Sequence, residues 1–169
     1  DPWCPYTCDP QLGFRGIITD VATEVLEGLG KEVKYSMVAW DKAIVDTRAG
    51  KYEAILGAAK GDAPGFIYPE SPVAYQKSCF YREPSARWTY DGVASLKGKR
   101  IGVVAGYKYG DPVDAFVTAN PTQVVAVNGV NTSQKLFGLL KEKKVDVLLE
   151  DEKVVKFLEL LPNRVITDS

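Results

Sequence analysis

The sequence predicts an α/β fold in which short buried strands alternate with amphipathic helices. Strand-like and helix-like hydrophobic patterns follow one another along nearly all of the 169 residues. Two mainly apolar runs, at residues 100–104 and 145–150, have the length of short buried strands. A Glu-Pro-Ser segment at residues 83–85 separates two sets of such elements. A division into residues 1–82 and 83–169 is therefore predicted.

The first half is predicted to contain two helices and three strands. One helix begins at Asp20 and ends at Gly30, because apolar residues recur at helical spacing between them, at Val21, Val25, Leu26 and Leu29. The second helix spans residues 40–49 and ends before Gly50. The strands are expected at residues 33–38, 54–58 and 75–81.

The second half is predicted to repeat this alternation. Its strands are expected at residues 100–104, 123–127, 145–150 and 165–167. Three helices lie between them, the first opened by Asp111 and Pro112, the second capped by one of residues 131–133, and the third at residues 152–161. In a parallel sheet the loops after residues 104 and 150 would share one edge, where α/β proteins hold ligands.

The composition excludes several classes of function. The net charge of −1 gives no electrostatic basis for binding nucleic acid or an anionic membrane. No apolar run approaches the roughly 20 residues that a membrane helix needs. The sequence contains no histidine, which removes the most common general base and metal ligand. No catalytic residue, metal site or cofactor site is therefore predicted, and the expected activity is binding.

Two of the three cysteines, Cys4 and Cys8, flank a short loop that contains Pro5. A disulfide between them is predicted, and it would indicate an oxidising compartment. The alternative is a pair of unpaired thiols in a cytosolic loop. Cys79 falls inside an apolar strand and is expected to be an inert core residue.

Five motifs in order resemble one known family. They are residues 16–20 (Gly-Ile-Ile-Thr-Asp), Trp40 followed by residues 50–54 (Gly-Lys-Tyr-Glu-Ala), residues 68–72 (Tyr-Pro-Glu-Ser-Pro), residues 96–103 with Gly106 and Tyr109, and residues 145–147 with Asp151. This set is similar to that of the bacterial extracellular solute-binding proteins of family 3, which serve polar amino-acid ABC transporters. The resemblance covers nearly the whole chain.

The resemblance implies the two-lobed fold of type II periplasmic binding proteins, in which each lobe is a mostly parallel sheet flanked by helices. Residues 1–82 would be a partial lobe 1 with the first hinge strand, and residues 83–169 would be lobe 2. Family members usually begin with a strand before the Trp3 region and continue well past the position of Ser169. The resemblance therefore implies a chain that is incomplete at both ends.

The implied function is capture of a small polar solute in the cleft between the lobes, by a monomeric periplasmic protein that delivers the solute to a membrane permease. Closure of the lobes around the solute would follow the Venus-flytrap pattern. Two alternatives remain open at this point. The same fold occurs in ligand-sensing domains of receptor kinases and cyclases, and a few relatives are cyclohexadienyl dehydratase-like enzymes.

The predicted ligand-binding residues lie at the strand edges and in the aromatic segments that would face the cleft: Trp3, Tyr6, Trp40, Gly57, Ala58, Asp62, Tyr68, Tyr75, Gly106, Tyr107, Tyr109 and Asp151. Structural alternatives accompany several of them. Trp3 and Tyr6 would otherwise pack the Cys4–Cys8 loop, and Trp40 would be a core residue. Asp151 also suits the N-cap of the following helix.

Asp62 departs from the family pattern. Amino-acid binders of this family place an arginine at this position, where its guanidinium binds the carboxylate of the ligand through two hydrogen bonds. An aspartate cannot do so, and Lys60 would offer only a point charge. A cationic, neutral or aromatic solute is therefore as consistent with the sequence as an ordinary α-amino acid.

Overall fold

A four-stranded sheet lies at the centre of residues 78–161 in the computed structural model, which describes residues 2–161. One of its strands comes from the end of the first half of the chain and three come from the second half. Its strands are β1 (Ser78–Tyr81), β2 (Ile101–Val104), β3 (Val124–Val127) and β4 (Val147–Asp151). The order is β1-β4-β2-β3. Strand β2 runs parallel to β3 and β4, whereas β1 runs antiparallel to β4. The α/β class predicted from the sequence is confirmed.

Helices cover both faces of this sheet. The helices of the described chain are α1 (Ile17–Gly28), α2 (Trp40–Arg48), α3 (Asp111–Ala119), α4 (Thr132–Lys141) and α5 (Glu152–Leu160). Apolar side chains of α4 and α5 pack on one face of the sheet, and those of α3 pack on the other. The second half is therefore a three-layer α/β/α unit.

The alternation of side chains along β2 explains the two cores. Ile101 and Val103 point to the α3 face, and Val104 points to the α4 and α5 face. Gly102 also faces α4, and a Cβ there would lie 3.1 Å from Cδ2 of Leu136. The glycine therefore lets helix α4 approach the sheet closely.

A loop at residues 3–8 connects the first half to this sheet. The predicted disulfide between Cys4 and Cys8 closes the loop. Tyr6 is buried in the α4 and α5 core. The carbonyls of Pro5 and Tyr6 accept hydrogen bonds from the first backbone N–H groups of α1, at 2.9 and 3.0 Å. These contacts replace a side-chain cap, and they explain why α1 begins at Ile17 and not at Asp20.

The strands predicted at residues 33–38 and 54–58 are corrected by the structure. Both segments lie in the described chain without strand pairing, so the first half contributes no sheet of its own there. An alternating pattern fixes the directions of side chains, but a strand also needs a paired backbone in register. Here the two segments line an open space and make no ladder with each other. The prediction of a strand at residues 75–81 was correct only for Ser78–Tyr81.

The orientation of α1 also differs from the prediction. Its buried residues are Thr19 and Thr23, whereas Val21, Val25 and Leu29 are exposed. The Thr23 hydroxyl donates to the Thr19 carbonyl at 2.7 Å, which satisfies it within the helix. Helical spacing identified the helix. Its buried face is determined by the neighbouring elements, which pack against the side that carries Thr19 and Thr23.

The remaining elements of the second half were predicted to within about two residues at each end, an ordinary uncertainty for helix and strand boundaries. The strand predicted at residues 165–167 lies outside the described residues. Within residues 2–161, no helix has the length and apolar character that a membrane span requires.

Candidate functional site

A cavity of about 700 Å³ lies between the first half of the chain and the loop that follows β2. Its walls come from one side of α1 and α2, from the unpaired segments 31–38 and 52–57, and from isolated residues of other loops. The latter are Trp3, Thr7, Asp62, Gln76, Tyr107 and Lys108. The segments that the sequence pattern predicted as strands are thus the walls of this space.

Aromatic rings form one end of the cavity. The Tyr107 ring lies between two indoles, with centroid distances of 6.3 Å to Trp3 and 5.9 Å to Trp40. Both contacts are close to perpendicular, at 78° and 81°. Gly57 and Gly106 leave room beside these indoles, since a Cβ would lie 4.0 Å from Trp3 and 3.7 Å from Trp40 respectively. The indoles of Trp3 and Trp40 therefore lie close to the backbone at Gly57 and Gly106 without an intervening side chain.

Glu150 holds Trp3 in place. Its carboxylate is buried and accepts hydrogen bonds from Nε1 of Trp3 at 3.2 Å, the Ser133 hydroxyl at 2.6 Å and the Asp151 N–H at 2.7 Å. Burial raises the pKa of Glu150, and these donors oppose that rise. Burial, and then the Glu150 charge, also raise the pKa of the Tyr107 hydroxyl, which stays neutral at physiological pH.

Four polar atoms of the cavity wall are buried without a hydrogen-bond partner among the described residues. They are Oγ1 of Thr19, Nε1 of Trp40, Oγ1 of Thr47 and Oδ1 of Asp62. Leaving a buried polar atom unpaired costs about 1–3 kcal/mol. A molecule in the cavity that supplied an acceptor to Trp40 and a donor to Asp62 would remove this cost.

Asp62 is fixed by its own loop. Its Oδ2 accepts a hydrogen bond from the Ala59 N–H at 2.8 Å, and the Asp62 N–H donates to the Ala59 carbonyl. Burial raises the pKa of Asp62, and the Ala59 hydrogen bond and the charge of Lys108 oppose that rise. The carboxylate therefore has one oxygen occupied and one unpaired.

The structure brings together only some of the predicted ligand-binding residues. Those that line the cavity are Trp3, Trp40, Gly57, Asp62 and Tyr107. Gly106 lies next to Trp40, and the Tyr6 ring packs against Trp3 at a tilt of 30°, with ring centroids 4.5 Å apart. Their roles in binding remain predictions.

The other predicted residues do not line the cavity. The Tyr68 hydroxyl bonds to the backbone of Ala63, and the Tyr109 hydroxyl accepts from the Val104 N–H at 2.8 Å. Tyr75 is 77% exposed, and Ala58 is not among the residues that line the cavity. A role in ligand binding for these residues also stays a prediction.

Asp151 is the N-cap of α5. Its Oδ1 accepts from the Lys153 and Val154 N–H groups, at 2.8 and 3.2 Å, and its Oδ2 accepts from the Lys77 N–H at 2.7 Å. It thereby ties β1 to the end of β4. The capping role, which the sequence offered as an alternative, is present, and the ligand role is untested.

Several residues of the cavity wall were not predicted as site residues. Thr47, Tyr35 and Gln76 line it, and Glu150 positions Trp3 from behind. An indirect signal existed for Glu150, because a carboxylate at the end of an apolar strand needs buried donors. The others lie on elements whose relative placement the sequence does not encode locally.

Within the part of the chain that the structure describes, no group of three or more acidic or cysteine side chains is arranged to hold a metal ion. The cavity wall combines aromatic faces, threonine and tyrosine hydroxyls, and the half-buried carboxylate of Asp62. Its exposed charged side chains are Lys31, Glu32, Lys34, Glu53 and Lys108. These side chains can stack against an organic molecule and form hydrogen bonds with it.

No protein-family model matches the chain, and no curated protein matches it. Solved structures do. An arginine-bound mutant of ArgBP from T. maritima is 18% identical, with a TM-score of 0.76 over 96% of this chain and 75% of that one. An ancestral arginine-binding protein bound to glutamine is 19% identical, with a TM-score of 0.70 over 96% and 71%.

The unliganded, open L-cystine solute receptor of Neisseria gonorrhoeae is 21% identical, with a TM-score of 0.50 over 95% of this chain and 66% of that one. At these identities the likeness concerns the fold. The chain has the α/β fold of these solved binding proteins.

Proposed function

We propose that the chain is a family 3 extracytoplasmic solute-binding protein, which captures a small polar solute such as an amino acid or a related compound for uptake by an ABC importer. The observation that carries this proposal is the 700 Å³ cavity with walls from both halves, Trp40 and Gly57 on one side and Tyr107 and Lys108 on the other. Pockets for small molecules are concave, of about 300–1,000 Å³, and lined by aromatic residues with a few polar groups.

The structural relatives support the same function. Those with the same fold are described as an arginine-bound protein, a protein bound to glutamine and an L-cystine receptor. Because the cavity wall is shared between two halves, a solute that touches both would favour their approach. The binding energy would then come largely from desolvating the aromatic rings and pairing the buried polar atoms.

The proposed setting is the periplasm, with a membrane permease as the partner and a monomer as the working form. The Cys4–Cys8 disulfide supports an oxidising compartment. The proposal includes no catalysis, because the sequence lacks histidine and the buried carboxylates near the cavity are engaged in structural hydrogen bonds.

Calorimetric titration tests this function on the 169-residue chain with the twenty amino acids, small amines and small carboxylic acids. Saturable heat with at least one solute is expected. Tryptophan fluorescence locates the site, since Trp3 and Trp40 line the cavity and Trp88 packs against Phe80 elsewhere. Solute-induced fluorescence change should persist in Trp88→Phe and diminish in Trp40→Phe. Absence of saturable binding across the panel would contradict the proposal.

A further inference from the structure

We propose that Asp62 selects a solute with a cationic head group, which its unpaired oxygen binds beside the aromatic rings of Trp40 and Tyr107. This inference rests on the proposed function and specifies its ligand class. It begins from a single atom. Oδ1 of Asp62 is buried at the cavity wall without a hydrogen-bond partner among residues 2–161, while Oδ2 is occupied by the Ala59 N–H.

The local structure leaves this oxygen without a partner. The bond to Ala59 closes the turn at residues 59–62 and fixes the direction of the carboxylate. One oxygen is enough for that structural task. The second oxygen has lost water without gaining a partner, which is an unfavourable state for a carboxylate unless a donor arrives. The raised pKa of Asp62, caused mainly by burial, agrees with this description.

The charges around Asp62 favour a cation over an anion. The nearby charged groups that affect it are Lys108, which is exposed, and Asp114. Lys108 stands in water and lies beyond ion-pair distance of Asp62, so it does not neutralise the carboxylate by contact. A ligand carboxylate at this position would face a buried negative charge, which costs far more than the hydrogen bonds it could form.

The surrounding rings suit the same ligand. The faces of Trp3, Trp40 and Tyr107 attract cations through their electron-rich centres. Nε1 of Trp40 is a donor that has no partner within residues 2–161. It would donate a hydrogen bond to an acceptor group on the same solute. The geometry thus fits an amine or guanidinium compound that carries an apolar or planar body and a neutral acceptor group.

A matched series of probes tests the inference on the whole chain. 2-Phenylethylamine, 2-phenylethanol and phenylacetate share a ring and differ in head-group charge, and agmatine adds a guanidinium without a carboxylate. Calorimetry or thermal shift should give an affinity for an amine that is at least about tenfold higher than for the alcohol or the acid, as expected for one charge-assisted hydrogen bond.

Asp62→Asn is the informative variant, because its amide oxygen can still accept from Ala59 while the charge is removed. It should retain its thermal midpoint and lose the preference for the amine by about tenfold. Asp91→Asn is the matched control, because it makes the same chemical change at an exposed position away from the residues that line the cavity. It should keep the preference. If Asp62→Asn fails to fold, the selectivity of the unmodified chain among the amine, alcohol and acid probes still tests the inference.

The outcomes separate the two proposals. Equal or tighter binding of phenylacetate or phenylethanol, binding of zwitterionic amino acids without any amine, or an unchanged preference in a folded Asp62→Asn variant would overturn the role of Asp62 and leave the binding function standing. Absence of binding by every probe and every amino acid would overturn both.

Discussion

Nε1 of Trp3 lies 3.2 Å from Oε1 of Glu150, although the two residues are 147 positions apart in the chain. The same carboxylate accepts from Ser133 on α4. The buried Glu150 carboxylate thus connects the loop at residues 3–8, strand β4 and helix α4. Trp3 reaches the cavity wall because this connection holds it there.

This arrangement predicts a pH-dependent contribution of Glu150 to stability. Burial raises its pKa in the folded state, so the folded chain keeps a proton that the unfolded chain releases above about pH 4.3. The contribution to the free energy of unfolding is therefore largest at low pH. It falls by about 1.4 kcal/mol for each pH unit until the folded pKa is passed.

Urea unfolding of the wild type and of Glu150→Gln from acid to neutral pH measures this effect, because the glutamine does not titrate. The difference between the two stabilities should decrease as the pH rises. Ser133→Ala removes a donor to the ionised carboxylate and should extend the fall to higher pH. A difference that is constant or increases with pH would show that the Glu150 pKa is not raised.

The sheet of the second half could be predicted because its signal is local. Strands β2 and β4 are buried along their whole length, and short continuous apolar runs between turn residues are typical of such strands. The Asp151 N-cap of α5 and Pro112 in the first turn of α3 also act within a few residues, whereas the side chain of Asn131, at the N-cap of α4, makes no capping hydrogen bond. Such elements can be identified from a window of the sequence without knowledge of their neighbours.

The cavity could not be predicted in the same way. Segment 33–38 alternates like a strand, yet it lines an open space, because its pairing depends on residues far along the chain. The face of α1 that turns inward carries Thr19 and Thr23, against its own apolar pattern. The approach of Tyr107 to Trp40 is also a consequence of tertiary packing. These features depend on non-local contacts that no window contains.

Asp151 provides a second prediction, which concerns the attachment of α5 to the sheet. Its carboxylate accepts from two N–H groups of α5 and from the Lys77 N–H that precedes β1. Asp151→Ala removes all three acceptor contacts in a buried place and should lower the free energy of unfolding by about 2–3 kcal/mol.

Asp151→Ser is the comparison variant. A serine is a good N-cap but is too short to serve both α5 and Lys77, so it should recover about 1 kcal/mol of the loss. Urea denaturation followed by circular dichroism gives both values. Equal stability of the alanine variant and the wild type would mean that solvent replaces these contacts at no cost.

Gly16 and Gly13 form a matched pair for the third prediction. Both have positive φ, at +98° and +86°. At Gly13 an added Cβ would meet no atom within 4 Å, whereas at Gly16 it would lie 2.5 Å from the carbonyl oxygen of Tyr6. Gly16 also has ψ of 154°, in a region that is almost exclusive to glycine, and Gly13 is near the left-handed helical region.

Gly13→Ala should therefore cost about 1 kcal/mol, from backbone strain alone. Gly16→Ala should cost at least about 3 kcal/mol, because the clash adds to the strain and separates the Cys4–Cys8 loop from the start of α1. The same separation would release the Pro5 and Tyr6 carbonyls from α1 and move Trp3, so its fluorescence should change in Gly16→Ala and not in Gly13→Ala. Similar losses of stability in the two variants would show that the loop does not pack on Gly16 in solution.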